Sequence, residues 1–433
     1  MRKLGIRTVT IGVIAGVVSV FAVSGVSGAA TAGADQGVTD NAVKIGFIYS
    51  KTGVASATSG DSDVGCKARV GRENANGGVN GRKVDVQYFD DQSSGANLTG
   101  AQDLVQNKHV FMVINNSAFA FGTYRWLLDH NVPLIGGGYD GTYYGTPGNE
   151  GVISAFGNAA PVNGVSNDLG SKIMKSKGVK KSAALGYGIS PSSSEAAKSF
   201  NKYAAPAQGI KPVYTNTSVD FGSTDVAPLV LGIKNSGADG AWYAMNGNTN
   251  LAIAQGLKQN GVNMKAQLMA TGYGQDLLDQ PIANQLGPNI LFTQGWQPVE
   301  LQTKATKQFV SDLKKYADHT GVPDFGIYTG YMDCDLAIQG LKAQGKNLDQ
   351  GAYVTDLRKL GKVNPANLGC APIDISAATF GKPAPTICQY AMYIKGDKFT
   401  LLKPGNGKDF WEGKLIGKSV TEATTTTTAA PAQ

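Results

Sequence analysis

The sequence predicts an α/β protein made of two doubly wound, Rossmann-like lobes. Three observations carry the prediction. Short apolar runs alternate with longer amphipathic ones from Val43 onward, and the alternation restarts after Gly157. Glycine, at 57 of 433 residues, is abundant enough to supply the many tight turns that such an alternation needs.

In the first half, Val43 to Tyr49 reads as a strand, followed by the polar loop Ser50–Gly60 and a helix from about Asp61 to Asn76 that Gly77-Gly78 ends. Val84 to Phe89 is the next strand, closed by Asp90-Asp91. A helix near Leu98–Asn107, the strand Val110–Ile114, a helix over Gly122–His130 and the strand Val132–Ile135 complete the unit. This order argues for a mostly parallel sheet with helices on both faces. In the second half, helices near Val162–Lys177, Ser194–Gln208, Ala227–Asn235 and Thr249–Asn260 alternate with strands at Ser182–Leu185, Pro212–Thr217, Gly240–Met245 and Gln267–Ala270. Two successive units of this size predict two similar lobes, not a solenoid of short repeats.

The N-terminus reads as an export signal. Arg2, Lys3 and Arg7 precede the apolar stretch Val9–Val23, and Ala32-Gly33-Ala34 supplies small residues for cleavage before Asp35. An uncleaved signal anchor is the alternative. No cysteine lies near that junction, so a lipid-anchored mature terminus is not expected. Loss of residues 1–34 takes the formal charge from +7, by the three cations just named, to +4. The remaining basic residues are scattered without a stripe, which argues against nucleic acid as a partner. Charged residues are only 16% of the chain against 42% apolar, a balance that fits a packed globule. The Thr/Ala/Pro segment 419–433 has too little apolar content to pack, and is expected to be a disordered tail.

Four cysteines, Cys66, Cys334, Cys370 and Cys388, in an exported chain favour two disulfides, with three connectivities open. Cys370 and Cys388, close in sequence with Gly and Pro between them, can staple one loop, which leaves Cys66 for Cys334; four buried thiols are the alternative. The long cysteine spacings and only three histidines, His109, His130 and His319, argue against a bound metal, and no cofactor motif is found.

Catalytic motifs fail on spacing or context. Gly413 to Ser419 reads G-K-L-I-G-K-S, with three residues between its glycines where a phosphate loop needs four. Lys51-Thr52-Gly53 matches one element of the serine β-lactamases, but its S-x-x-K matches, Ser199–Lys202 and Ser311–Lys314, follow it, and S-D-N is missing. No G-x-S-x-G elbow occurs. Asp90 and Asp91, adjacent on a strand, point to opposite faces, so they read as a solvated strand end and not as an acid/base pair.

In doubly wound sheets, ligands bind outside the carboxyl ends of the strands. That rule selects the loops Ser50–Gly60, Asn115–Ala120, Gly136–Asp140, Gly186–Ser194, Asn246–Asn248 and Thr271–Gln275. Their Gly, Ser, Asn, Thr and Tyr content, with little Lys or Glu, suits a polar and mostly neutral pocket.

The run Asn74-Ala75-Asn76-Gly77-Gly78-Val79-Asn80-Gly81-Arg82-Lys83-Val84, through Asp90-Asp91-Gln92, resembles the signature of the leucine/isoleucine/valine-binding family of ABC-importer solute receptors, the type I periplasmic binding proteins. Further similarity runs from Val43 to about Lys403, through Tyr49-Ser50-Lys51-Thr52-Gly53, Val132-Pro133-Leu134-Ile135, Phe221-Gly222-Ser223-Thr224-Asp225 and Tyr328-Thr329-Gly330-Tyr331-Met332-Asp333. The resemblance implies two lobes joined by three hinge crossings, near Phe156, Gln294 and Cys370, that close on a solute. One lobe would comprise residues 35–156 with 295–370, and the other 157–294 with 371–415.

It implies that ligand contacts come from Ser50, from Ser117 to Phe119 and from Gly138, Tyr139 and Asp140, facing Ser192 and Asn246 in the second lobe. Asp140 stands where a hydroxyl residue is usual, and Gly272 where an acid usually holds the ammonium group, departures that argue against an ordinary α-amino acid. Tyr139, Tyr273, Trp296 and Tyr328 fall near the cleft mouth, where their rings can stack on a solute; packing at the hinge is the alternative for Trp296 and Tyr328. The expected function is that of an extracytoplasmic, non-enzymatic, monomeric receptor that delivers a small solute, such as an amino acid, amide, urea or aromatic compound, to an ABC-importer permease. A secreted sensory or docking protein on the same fold is the alternative.

Overall fold

The computed structural model describes residues 35–136, 148–158, 165–223, 225–379, 384–385 and 387–417. The segments expected to be an export signal and a Thr-rich tail lie outside them.

Two parallel sheets with helices between their strands make the two-lobed α/β fold that the sequence predicts. The first contains β1 (Ala42–Tyr49), β2 (Lys83–Asp90), β3 (Met112–Asn115), β4 (Leu134–Gly136) and β5 (Val152–Ser154), all parallel, in the order 2-1-3-4-5. Helices cover both of its faces, so consecutive residues of β1 are apolar and buried: Ile45, Phe47 and Ile48 are all fully enclosed.

The second sheet contains β6 (Lys181–Tyr187), β7 (Lys211–Val219), β8 (Gly240–Ala244), β9 (Ala266–Met269) and β10 (Ile290–Gln294). Their parallel order, 7-6-8-9-10, repeats the 2-1-3-4-5 pattern of the first sheet. Two antiparallel strands extend it beyond β10: β11 (Cys388–Lys395) and β12 (Lys398–Leu401).

The chain passes between the sheets three times: from β5 towards β6, from β10 to the helices Lys304–Ala317 and Phe325–Ala343, and from the strand Ile373–Asp374 to β11. Those two helices pack on the helix Ser62–Ala75 of the first sheet. Glycine permits the close approach, because a Cβ on Gly65 would stand 1.9 Å from the Ile327 carbonyl oxygen and one on Gly330 1.9 Å from that of Ser62. The Cys66–Cys334 disulfide and the buried Arg69–Asp335 ion pair, at 2.6 Å, fasten the same helix pair. The second and third passages run side by side: Trp296 bridges to Gly369, and the Cys370 amide donates to the Gly295 carbonyl at 2.9 Å. Cys370 pairs with Cys388 there. Of the three connectivities open to the sequence, this one is formed.

Two local expectations change. Val165–Asn167, read as the start of a helix, is a strand paired with Leu415–Gly417, and the helix begins at Leu169. The C-terminal segment captures it: the Lys414 amide donates to Asp168 Oδ1 at 2.8 Å, and the Asp168 amide to the Lys414 carbonyl at 3.2 Å. Tertiary pairing overrides local propensity. Asp91, read as part of a solvated strand end, is fully buried. It lies just beyond β2 and turns inward onto a set of donors, while Asp90 stays outside and accepts from the Thr52 hydroxyl at 2.7 Å. The two side chains do diverge, but only one of them meets water.

Candidate solute-binding cleft

In each sheet the strand order reverses beside the first strand of the unit, at β1/β3 and at β6/β8. Crevices form at such switch points outside the carboxyl ends of the strands. Here the two crevices face each other and line a partly open cavity of about 280 Å³. The first lobe contributes Ala55 and Thr58 from the loop after β1, Ala118 from the loop after β3, and Phe325 at the start of its long helix. The second lobe contributes Tyr187, Phe221, Trp242, Ala244 and the loop residues Ser192 and Asn246. No charged side chain among the described residues lines this cavity.

Aromatic rings join the lobes at its edge. Phe221 stands 5.4 Å from Phe119 across the cleft and 4.5 Å from Tyr187 on its own side, measured between centroids. Trp242 stacks on Phe200 at 5.3 Å with planes 9° apart, which fixes the indole against the second sheet. Val54 closes over Gly222, where a Cβ would sit 2.9 Å from that of Val54.

The lining polar groups are mostly engaged. Ser193 Oγ donates to the Ala244 carbonyl and accepts from the Tyr187 amide at 2.7 Å. Thr271 Oγ1 donates to the Met245 carbonyl at 3.1 Å, and Ser59 Oγ to that of Ala55 at 3.4 Å. Asn246 caps the helix Gly247–Gln259 by accepting from the Thr249 amide at 3.1 Å, and Ser190 caps the helix Pro191–Ser199 through the Ser193 amide at 3.2 Å. Ser190 and Ser192 hydroxyls lie 3.3 Å apart. Thr58 differs: its hydroxyl oxygen is buried without a hydrogen-bond partner.

Behind the first-lobe wall, Ser50 and Ser117 are buried and both donate to Asp91, Ser50 at 2.7 Å. The Ser93 amide and Asn97 Nδ2 add two more hydrogen bonds to that carboxylate at 2.9 Å. Ser50 and Ser117 therefore face a carboxylate of the protein itself. Deeper still, Asp333 accepts from Asn116 Nδ2 at 2.7 Å, and burial raises its pKa well above the usual carboxylate range.

Among the other residues singled out from sequence, Ser192 and Asn246 line the cavity and Phe119 stands at its edge, whereas Tyr273, Trp296 and Tyr328 pack together at the crossings. Tyr273 donates to Glu300 at 2.7 Å, Tyr328 donates to the Gln297 carbonyl at 2.9 Å, and Trp296 lies 5.2 Å from the cavity residue Phe325. Gly138, Tyr139 and Asp140 lie outside the described residues. Thr58 and Tyr187 fall inside the loops selected from sequence, Ser50–Gly60 and Gly186–Ser194, without being singled out there, whereas Phe221, Trp242 and Phe325 lie outside those loops. Trp242 lies two residues before the end of β8 and Phe221 two residues after the end of β7, so reading the strand ends themselves, and the loop after β7, would have reached both.

Residues 42–397 match the periplasmic binding protein family. The chain belongs to that family. It resembles solved members of known fold: a fatty acid ABC transporter substrate-binding protein from Thermomonospora curvata (15% identity, TM-score 0.70, covering 90% of this chain and 96% of that one); a solute-binding protein of an ABC transporter from R. palustris, in complex with benzoate (17%, 0.65, 84% and 96%); and the branched-chain amino acid binding protein LivJ from Streptococcus pneumoniae, in complex with isoleucine (19%, 0.65, 84% and 100%). No curated protein matches it in sequence. These identities establish the shared fold of a periplasmic binding protein. The paired disulfides suit an exported member of that family, and no helix among the described residues is long and apolar enough to cross a membrane.

Proposed function

We propose that this periplasmic binding protein is the solute receptor of an ABC importer, and that it captures its solute in the cavity between the facing switch points. One observation carries the reading: loops from the carboxyl ends of both sheets, with Phe119 and Phe221 in contact across the gap, together line a solute-sized cavity. Its volume sits just below the roughly 300–1,000 Å³ typical of small-molecule sites. Such a space holds a compact solute. The residues 35–156 with 295–370 act as one lobe, 157–294 with 371–415 as the other, and the three crossings as the hinge. Solute binding favours the closed arrangement by the difference in affinity between the two states. The closed form then docks on a permease outside the cytoplasm. Chemistry on the solute is not part of this reading, because the cavity wall offers no nucleophile–base pair among the described residues.

A thermal-shift screen of the oxidised protein tests it against amino acids, amides, aromatic acids and short fatty acids. A bound solute at about 100 times its dissociation constant stabilises by roughly 2.7 kcal/mol and should raise the midpoint by about 2–6 °C. An Ala244→Trp variant, with the cavity filled, should lose the shift. A folded protein that responds to no class, or a shift that survives Ala244→Trp, would sink the proposal.

A further inference from the structure

A carboxylate or ammonium group taken from water into an apolar enclosure needs an opposite charge or several free hydrogen-bonding groups. The described wall of this cavity holds neither cation nor acid. The nearest cation of the loop after β1, Lys51, is held by Asp61 at 3.2 Å and Asp63 at 3.5 Å. Hydroxyls that would serve a carboxylate are engaged: those of Ser59, Ser193 and Thr271 donate to backbone carbonyls. Those of Ser50 and Ser117, one layer behind, donate to Asp91. That layer also adds a buried negative charge on the side from which an anion would be held. Among the described lining hydroxyls, that of Thr58 has no partner.

From these observations, and on the reading of the cavity as the solute site, we infer that the receptor selects an uncharged, largely apolar solute with a single polar handle. Its flat part lies among Tyr187, Phe221, Trp242 and Phe325, and its handle lies against Thr58, whose Oγ1, covered in the unliganded arrangement, rotates into the cavity to meet it. Free amino acids and free carboxylates are rejected, because neither charge finds a partner among the described lining residues. Neutral hydroxyl, carbonyl and amide compounds of about the size of one substituted ring are the class that fits. A bare ring needs about 150 Å³, so the cavity of about 280 Å³ holds the ring with its handle and a short substituent.

The test uses matched pairs that differ only in charge: benzamide with benzoate, cyclohexanecarboxamide with cyclohexanecarboxylate, and 4-methylpentanamide with 4-methylpentanoate and leucine. Binding to the full oxidised protein is measured at pH 7.5 by calorimetry and by the fluorescence of Trp242, with Trp242→Phe identifying that signal. The expected result is that at least one amide binds on the order of 100-fold more tightly than its carboxylate, and that leucine is silent. Thr58→Val should weaken the amide about fivefold to tenfold while leaving the thermal midpoint of the free protein unchanged. A carboxylate that binds as tightly as its amide overturns the inference and leaves the receptor reading standing. So does a protein that binds charged solutes from the wider screen and none of the amides. A protein that binds no solute of either sort takes down the receptor reading itself.

Discussion

The two lobes share a strand order but build their edges of the cleft differently. Behind the first-lobe edge lies a closed polar network: Asp91 accepts from Ser50, Ser117, Ser93 and Asn97, and Asn115 donates to Asn97 at 2.9 Å and to Thr123 at 3.0 Å. The second-lobe edge is an aromatic and aliphatic wall, with Tyr187, Phe221, Trp242 and Met245 in contact with the cavity. A satisfied buried network fixes loop positions but leaves few donors for a visitor. An apolar wall is the reverse, since it gains from any surface that covers it. Equal topology assigns unequal work: one edge holds its loops, and on the proposed function the other holds the solute.

The largest effect that separates these roles is in the disulfides. Cys66–Cys334, within the helix pair of the first lobe, closes a separation of 268 residues, and Cys370–Cys388, at the third crossing, only 18. On loop-closure grounds, replacing the first pair with alanine should lower stability by about 5 kcal/mol and the second by about 3 kcal/mol. Denaturant titration of the two double variants measures both values, and an equal loss from each would refute the loop-length argument. Next comes Asp91→Ala, which strands four donors and should destabilise by roughly 3 kcal/mol. Because that network does not line the cavity, affinity for the solute in the surviving folded fraction should stay within about threefold. A much larger loss of affinity would mean that the first-lobe edge contacts the solute directly.

Much of this asymmetry was hidden from the sequence while the frame was not. Apolar runs such as Val43–Tyr49 and the glycine-ended helix before Val79 are local signals, so the parallel units are legible from them. Val165–Asn167 was misread because its fate depends on Lys414, far along the chain. Asp91 was misread for the same reason: only the fold brings Ser117 and Asn97 onto it, and an acid at a strand end is usually solvated. The cleft loops were legible from the strand-end rule, which selects loops and not the residues before them. Trp242, inside β8, therefore falls outside them; Phe221 lies in the loop after β7, which is not among those selected, and Phe325 reaches the cavity from a helix start to which no strand-end rule applies.

A pH experiment addresses the contact of the lobes at the rim. A Cβ on Gly274 would stand 2.4 Å from Asp276 Oδ1 and 2.8 Å from Asp324 Cβ, which places the two acids on either side of one backbone position. Burial, with Asp61 and Asp276 as neighbouring charges, raises the Asp324 pKa to about 7, and burial also raises that of Asp276. The sign follows from linkage. Above pH 7 the native state carries an ionised Asp324 that the unfolded chain carries more easily, so stability rises as pH falls through 7. The gain is complete near pH 4, where the unfolded carboxyl also takes up its proton. Asp324→Asn keeps a cap for Ile327 but removes the charge, and should flatten the rise seen between pH 8 and pH 5. An unchanged pH profile in that variant would exonerate Asp324.

The smallest effect concerns the ring at the boundary itself. Phe221 belongs to the second lobe, touches Tyr187 there, and reaches Phe119 of the first. If the aromatic edge does the holding, then Phe221→Ala removes both a piece of the wall and a contact that exists only when the lobes are together. The loss should fall on the closed, liganded state, because the half-buried Phe221 gives up little packing in the open form. Affinity should drop about tenfold, or about 1.4 kcal/mol, with the midpoint of the free protein nearly unchanged. Phe119→Ala, which removes the contact from the other side and leaves the wall intact, should weaken binding less, by about threefold. Should Phe119→Ala prove the more damaging of the two, the first-lobe edge would be doing the gripping and the division of labour between the lobes would be reversed.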